Sequence, residues 1–349
     1  MVKIQDVARH AAVSVTSVSN AINGKTDQMR KETLARIEAA IAELGFRPNH
    51  AARQLKTGQA AILGLLVPSI VNPSFAALAR AVDMAAQRSY GYRVLLGNTY
   101  RLEENEKTFL GDLQSHGVQG VIVVAAQIEQ AHFRTALQAG VAMVNYDGRS
   151  PARSADVGLS MDSVSMNNVE AGRIAARHLI ARGCRHIAIV TESGRNASRS
   201  DKIEGFLTEA QGAGVNATII EDRAVAESGD SEMAELGRAL AERISGMAER
   251  PQGLVAINDM LAIGMLAGFR NSGVRVPGDI SIVGIDDILL SSLVTPAITS
   301  VSPPIPVMAQ LMVDRLISRI ADPDMPTQEF LFTPKLVCRA SVADAPATI

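Results

Sequence analysis

From residue 62 onward, short apolar runs alternate with amphipathic helical stretches, and this alternation narrows the possible folds more than any other feature. Strand-like runs fall at residues 62–67, 93–96, 120–124, 142–146, 186–191, 253–257 and 280–285, with a last one at 330–337. Helical periodicity occupies the gaps, for example at 75–88, 103–116, 168–181 and 259–271. Strand–helix–strand units of this kind build mostly parallel sheets with helices on both faces. A body of about 280 residues exceeds one ordinary core, so two similar doubly wound subdomains are expected. Ligands of such sheets bind beyond the C-terminal strand ends. The side chains of interest should therefore sit just after strands.

The first 60 residues have another character. Ile4, Val7, Ala8 and Ala11 share one face of a helix over 4–11. A second helix spans 15–22, with Ser14 as N-cap and Val18, Ala21 and Ile22 inward. A third spans 30–44, with Leu34, Ile37, Ile41 and Leu44 inward and Gly45 as its stop. Residues 46–49 turn the chain, 50–56 has helical potential, and 57–59 reads as a linker. Residues 1–60 hold nine basic and five acidic residues, a formal +4, against −6 for the remainder. A basic head on an acidic body calls for an anionic partner at the head alone.

Two short helices joined by a tight turn have the build of a helix-turn-helix, whose second helix sets its first side chains against base edges. Here those are Val15, Thr16 and Asn20, with Ser14, Ser17 and Ser19 available for phosphates. Thr16 offers a hydroxyl, or a methyl for thymine, and Asn20 can bond adenine in bidentate fashion. In 49–56, small residues surround Leu55, Arg53 and Lys56, a composition suited to a minor-groove helix with Leu55 as an apolar wedge. On the residues alone, a helical bundle without a nucleic-acid role and a plain linker stay open.

Several classes are excluded. The 349 residues are 47% hydrophobic and 20% charged, a globular profile. No apolar run approaches the roughly 18 residues of a membrane span, and no signal-peptide pattern opens the chain, so a cytoplasmic protein is expected. Cys184 and Cys338 form no disulfide framework or metal-type spacing. There is no P-loop, no GxGxxG after a strand and no nucleophile elbow, and the six histidines are scattered. Neither an enzyme nor a bound cofactor is expected.

An ordered series of motifs then runs through most of the chain: Ile4-Gln-Asp-Val-Ala, Val13-Ser14, Ser17-Val18-Ser19, Ala21-Ile22-Asn23, Glu43-Leu44-Gly45-Phe46-Arg47-Pro48-Asn49, Ala51-Ala52-Arg53-Gln54-Leu55, Ile62-Leu63-Gly64, Asn72-Pro73-Ser74-Phe75, Asn258-Asp259-Met260 and Val276-Pro277-Gly278-Asp279 through Asp286-Asp287. By these the chain resembles the lactose repressor/galactose repressor family of bacterial transcriptional regulators. The resemblance implies an α/β fold class: an N-terminal helix-turn-helix head plus a periplasmic-binding-protein-like body of two doubly wound parallel-sheet subdomains. It divides the chain into a head at 1–48, a hinge helix and linker at 49–60, an N-terminal subdomain at 61–161 and 292–324, a C-terminal subdomain at 162–291 and 325–342, and a tail at 343–349. It implies a homodimer that binds a near-palindromic double-stranded operator. Asn49, Arg53, Leu55 and Lys56 would form the hinge helix. The tail has no leucine heptads, which favours a dimer over a tetramer.

The resemblance also places an effector, a sugar, sugar acid or phosphosugar, in the cleft between subdomains. Asn72, Ser74 and Phe75 follow the first strand, and Asp147 follows the fourth. Lys202 precedes Gly205-Phe206 where relatives carry arginine, and Asn258 and Asp286 supply the remaining polar contacts. The carboxylates can accept bonds from hydroxyls and the cation can donate. Taken alone, Asp286-Asp287 also reads as a helix cap, Lys202 as a solvated lysine and Asn72-Pro73 as a turn. Four positions leave the family pattern. Asn20 replaces an arginine, Met29 a capping serine (with Asp27 as the alternative cap), Lys202 an arginine, and Ala224 an aromatic residue. With no Trp and 3% aromatics, stacking on a sugar falls mainly to Phe75. Two alternatives stay open: a pure small-molecule binding protein, and a regulator answering a non-sugar anionic metabolite.

Overall fold

The computed structural model describes residues 2, 4–22, 29–45, 61–100, 102–124, 131–148, 161–194, 196–223 and 231–344, of which 22, 231 and 232 are described by backbone alone. The chain forms two compact units, Met1–Ala60 and Ala61–Ile349. No helix among the described residues is long and apolar enough to cross a membrane.

The first unit contains α1 (Ile4–His10), α2 (Val15–Ile22) and α3 (Lys31–Leu44). Val7, Ala8, Ala11, Val18, Ile37 and Ala40 form its buried core, as helical spacing requires. Ser14 caps α2, its Oγ accepting the Ser17 N–H at 3.0 Å. Gly45 ends α3 at φ +60°, with its N–H on the carbonyls of Ala42 and Ile41. Arg30 stands at the N-cap of α3 without a side-chain cap bond. The expected Asp27 cap, the Ile22 side chain and the proposed hinge residues Asn49, Arg53, Leu55 and Lys56 lie outside the described residues.

The second unit begins with β1 (Ile62–Val67), α4 (Pro73–Tyr90), β2 (Arg93–Asn98), α5 (Glu103–Ser115), β3 (Gly120–Val123), α6 (Ala131–Gln138), β4 (Ala142–Tyr146) and β5 (Asp162–Met166). It continues with α7 (Asn168–Ala181), β6 (His186–Glu192), α8 (Ala197–Gly212), β7 (Asn216–Asp222), α9 (Ser231–Ser245), β8 (Gly253–Ala256), α10 (Asp259–Asn271) and β9 (Ser281–Ile285). It closes with α11 (Leu289–Leu293), β10 (Thr299–Ser302), α12 (Ile305–Ala321), β11 (Glu329–Phe332) and β12 (Lys335–Val337). One six-stranded sheet has the order β11-β5-β4-β3-β1-β2, the other β12-β10-β9-β8-β6-β7. All pairings are parallel except β12 with β10. Strands β3, β8 and β9 are buried along their whole length, as central strands covered on both faces must be.

The strand assignments correct the expected division of the body. β5 and β11 belong to the first sheet, and β10 and β12 to the second. The chain therefore crosses over at Asn167, at Pro303-Pro304 and at Thr333-Pro334, not at 161/162, 291/292 and 324/325. The pairing explains why: β5 joins β4 with Val144 opposite Asp162, and β10 joins β9 with Thr299 opposite Val283. The segment expected as one strand at 330–337 is two short strands in different sheets, parted at Pro334, whose ring removes a ladder donor.

At the N-terminal end of the first sheet, Asp162 is fully buried and held by Arg315 and Arg319, each donating two bonds at 2.8–3.1 Å. Burial, the largest single influence, pushes its carboxyl up, but the Arg319 and Arg315 bonds and the Gln328 N–H together hold it below the usual range. The pair of arginines fastens α12 to β5.

Candidate functional site

Asn72, Asp147, Asn258 and Asp286 each follow the C-terminal end of a strand, while Lys202 lies within α8. Asn72 is buried and caps α4, its Oδ1 accepting the Ser74 N–H at 2.9 Å. Asn258 caps α10 in the same way, accepting the Leu261 N–H at 2.8 Å. Each carbonyl oxygen is thus engaged by its own helix, leaving the amide NH2 as the group with donors to offer. Ser74 and Phe75 are half-buried, and Phe75 packs against the core.

Asp147 follows β4 with φ +59°, and Asp286 follows β9 with φ +113°. Left-handed backbone at a residue with a Cβ costs about 1–3 kcal/mol and collects at functional sites. Asp147 Oδ1 accepts from Asn168 Nδ2 at 2.8 Å and Ser165 Oγ at 3.2 Å. Burial pushes the Asp286 carboxyl up to about 7; the Lys202 ammonium opposes this, while Asp259 and Asp147 add to it. Burial likewise raises the Tyr146 hydroxyl well above its usual range, with further contributions from Asp147 and Asp286. Asp147 from the first sheet and Lys202, Asp259 and Asp286 from the second therefore share one electrostatic environment.

Lys202 is only 8% exposed and makes no ion pair or hydrogen bond among the described residues. Its place follows from close helix packing. A Cβ on Gly172 of α7 would lie 2.0 Å from the Lys202 carbonyl oxygen, and one on Gly205 of α8 would lie 1.8 Å from that of Val169. Only glycine at both positions lets the helices approach this far. Arg199, three residues earlier on α8, is instead engaged by Glu192 and by the Gly194 carbonyl oxygen at 2.7 Å.

A cavity of about 290 Å³ opens between the ends of β4 and β5, at Asp147, Ser165 and Asn168, and the first turns of α8, at Ser198 and Asp201. Of the expected cleft residues, Asp147 lines this cavity; Asn72, Ser74, Phe75, Lys202, Asn258 and Asp286 are not among its described walls. Sequence reasoning passed over Ser165, Asn168 and the fully buried Asp259. The sole signal for Asp259 was its place directly after Asn258. Ala224 lies outside the described residues.

In the head, Val15 is 42% exposed, and Thr16 and Asn20 are exposed one helical turn apart on α2. Ser17 and Ser19 are half-buried. The Ser14 and Ser17 hydroxyls bond each other at 2.9 Å, so part of their capacity serves the start of α2.

The family model for bacterial regulatory proteins of the lacI family matches residues 3–49, and that for a periplasmic binding protein-like domain matches residues 176–342. The HTH-type transcriptional repressor PurR of Aliivibrio fischeri is 32% identical over 349 residues, 99% of each chain. The ribose operon repressor of Halalkalibacterium halodurans is 32% identical over 345 residues, 97% of this chain and 96% of its own. A solved structure of the Lac repressor bound to ONPG in the repressed state superposes with a TM-score of 0.80 at 24% identity, over 98% of this chain and 99% of that one, a likeness of fold. With its helix-turn-helix head and its two-sheet body, the chain belongs to the LacI family, as a ligand-responsive DNA-binding repressor and not an enzyme.

Proposed function

We propose that this repressor acts in the cytoplasm as a homodimer, each head reading one half-site of a near-palindromic operator. Val15, Thr16 and Asn20 face base edges, and Ser14, Ser17 and Ser19 lie toward phosphates. Asn49, Arg53, Leu55 and Lys56 form a hinge helix whose Leu55 pries open the central base step. The effector is a sugar, sugar acid or phosphosugar in the cleft, bonded by Asn72, Ser74, Asp147, Lys202, Asn258 and Asp286 and packed on Phe75.

The observation that carries the cleft assignment is the shared field of Asp147, Asp286 and Lys202. Hydroxyl donors bound to the two carboxylates favour their ionised forms, and an anionic substituent relieves a desolvated ammonium. Members of this fold solved with ribose, cellobiose or D-xylulofuranose fit the same hydroxyl-rich chemistry. Lys202 together with the absence of Trp favours, as a second reading, a non-sugar anionic metabolite.

Two measurements test this. A gel shift of the full chain on the DNA flanking its gene, at low salt where phosphate contacts are strongest, should show a discrete complex. Thermal shift of the full chain against D-ribose, cellobiose, D-gluconate and D-ribose 5-phosphate should raise the melting temperature with at least one of them. Absence of the complex rejects the DNA assignment, and a response confined to non-carbohydrate anions transfers the cleft to the second reading. The effector shifts the chain toward whichever state binds it better, so the same titration with operator present gives its sign.

A further inference from the structure

Asp259 opens α10 directly after the cap residue Asn258 and is fully buried. Its carboxylate takes donors from separate pieces of the fold. Oδ2 accepts the Ile288 N–H at 2.9 Å and the Ser291 hydroxyl at 2.6 Å. Oδ1 accepts the Ser300 hydroxyl at 2.7 Å. Ser300 Oγ in turn accepts the Asp287 N–H at 3.0 Å. The backbone amides of both residues that follow Asp286 thus end, directly or through Ser300, on one carboxylate. Two of those turn residues, Asp286 and Asp287, have φ +113° and +51°. Such a turn persists only where its surroundings over-determine it.

Room for the carboxylate is made by Gly284 of β9, where a Cβ would lie 2.0 Å from Asp259 Oδ1. The N-terminus of α10 also favours a negative charge at its first residue. We infer that Asp259 is the positioning residue of the cleft, clamping the 286–288 turn so that Asp286 presents its carboxylate to the effector. The clamp joins the Asn258 cap to the Asp286 turn, so the two cleft residues contributed by β8 and β9 move as one piece.

This assignment rests on the cleft reading above, but its test needs no ligand. The charged groups around the turn are Asp259 itself, Asp147 and Lys202, which act on Asp286, and Asp287, which is paired with Arg339 at 2.5 Å. In Asp259→Asn the shape is kept while the negative charge and at least one acceptor are lost. Hydrogen exchange of the full chain at pH 8 should show protection of the segment 286–291 falling about tenfold, with β6 and α8 unchanged, the factor expected for one lost hydrogen bond. Titration of carboxyl-labelled aspartates by NMR should show the Asp286 midpoint falling below about 7, because a neighbouring carboxylate that raises it is gone. A purely architectural role would lower protection across the whole unit rather than in this segment alone. Ser291→Ala, which keeps the charge, should loosen the same segment and remains available if Asp259→Asn does not fold. An unchanged segment or a uniform loss across the unit overturns the clamp. Failure of every sugar in the thermal-shift panel would instead count against the effector class and leave the clamp standing.

Discussion

Gly172 and Lys202 meet across two helices so closely that a Cβ at 172 would lie 2.0 Å from the Lys202 carbonyl oxygen. That contact sets how far α8 presses toward α7, and hence where α8 holds the Lys202 side chain. Gly172→Ala should force the helices apart, at a cost of about 1–3 kcal/mol read from a denaturant or thermal melt. Because Lys202 travels with α8, affinity for an anionic effector should also fall about tenfold at temperatures where the variant is fully folded. Gly212→Ala, at the open end of α8 with nothing within 4 Å, is the control and should change neither. Equal behaviour of the two variants would detach Lys202 from the helix contact.

Asp286 gives the unliganded chain a distinct pH dependence. Its folded-state carboxyl sits at about 7 against an ordinary 3.8. The folded chain therefore holds this proton more tightly than the unfolded chain. The resulting stability is fully present below the ordinary value and is lost as pH rises through the folded one. Asp286→Asn cannot ionise, so it should match wild type near pH 4, gain relative stability up to pH 7 and hold a constant gain above that. With allowance for partial solvation, the gain is on the order of 1 kcal/mol, or roughly 2 °C in Tm. Thermal melts across pH 4–8 check this, and a difference independent of pH would remove the burial argument.

Which parts of this were readable beforehand follows from how local each signal is. Strands such as Ile62–Val67 and Ala142–Tyr146 appear as apolar runs because both sheet faces are covered. Asp162–Met166 and Thr299–Ser302 are largely buried too, yet carry two and three hydroxyl residues, which interrupt any apolar run. Their polarity is paid for by partners far away in sequence: Ser165 reaches Asp147, and Ser300 reaches Asp259. No local pattern reports such bonds. The same holds in the site. Asp147 and Asp286 were findable because each follows a strand, whereas Asp259 gains its meaning only from Ile288, Ser291 and Ser300. The resemblance carried residue identities across, but not the crossover points, since sheet membership of β5, β10 and β11 is decided by pairing.

The proposed contact of Lys202 with the effector can be tested by the class of effector it favours. The Lys202 ammonium is the one named influence that lowers the Asp286 carboxyl. Lys202→Met should therefore raise the Asp286 midpoint above about 7, as followed by carboxyl NMR. It should also relieve the desolvation of a cation that is 8% exposed, stabilising the unliganded chain by about 1 kcal/mol. In calorimetry, binding of D-gluconate or D-ribose 5-phosphate should weaken at least tenfold, while D-ribose loses less than threefold (on the order of 1 kcal/mol between the two classes). Equal losses for charged and neutral ligands would take Lys202 out of contact with the anion.

The head invites the same separation of folding from recognition. Ser14 supports α2 through its bond from the Ser17 N–H, whereas Asn20 is exposed on the same helix. Ser14→Ala should cost about 1 kcal/mol of head stability, typical of a lost N-cap. Through the smaller folded fraction it should weaken operator and random DNA by similar factors. Asn20→Ala should leave the melt of the head unchanged. It should cost about 1–3 kcal/mol on the operator alone, the discrimination expected from one base contact. Because Asn20 carries no charge, the slope of log affinity against log salt should stay the same. Anisotropy titrations of the full chain on operator and random duplexes at several salt concentrations measure all of these. A reduced slope for Asn20→Ala would make its contact part of a phosphate network. Equal losses on both duplexes would move base reading to Val15 and Thr16.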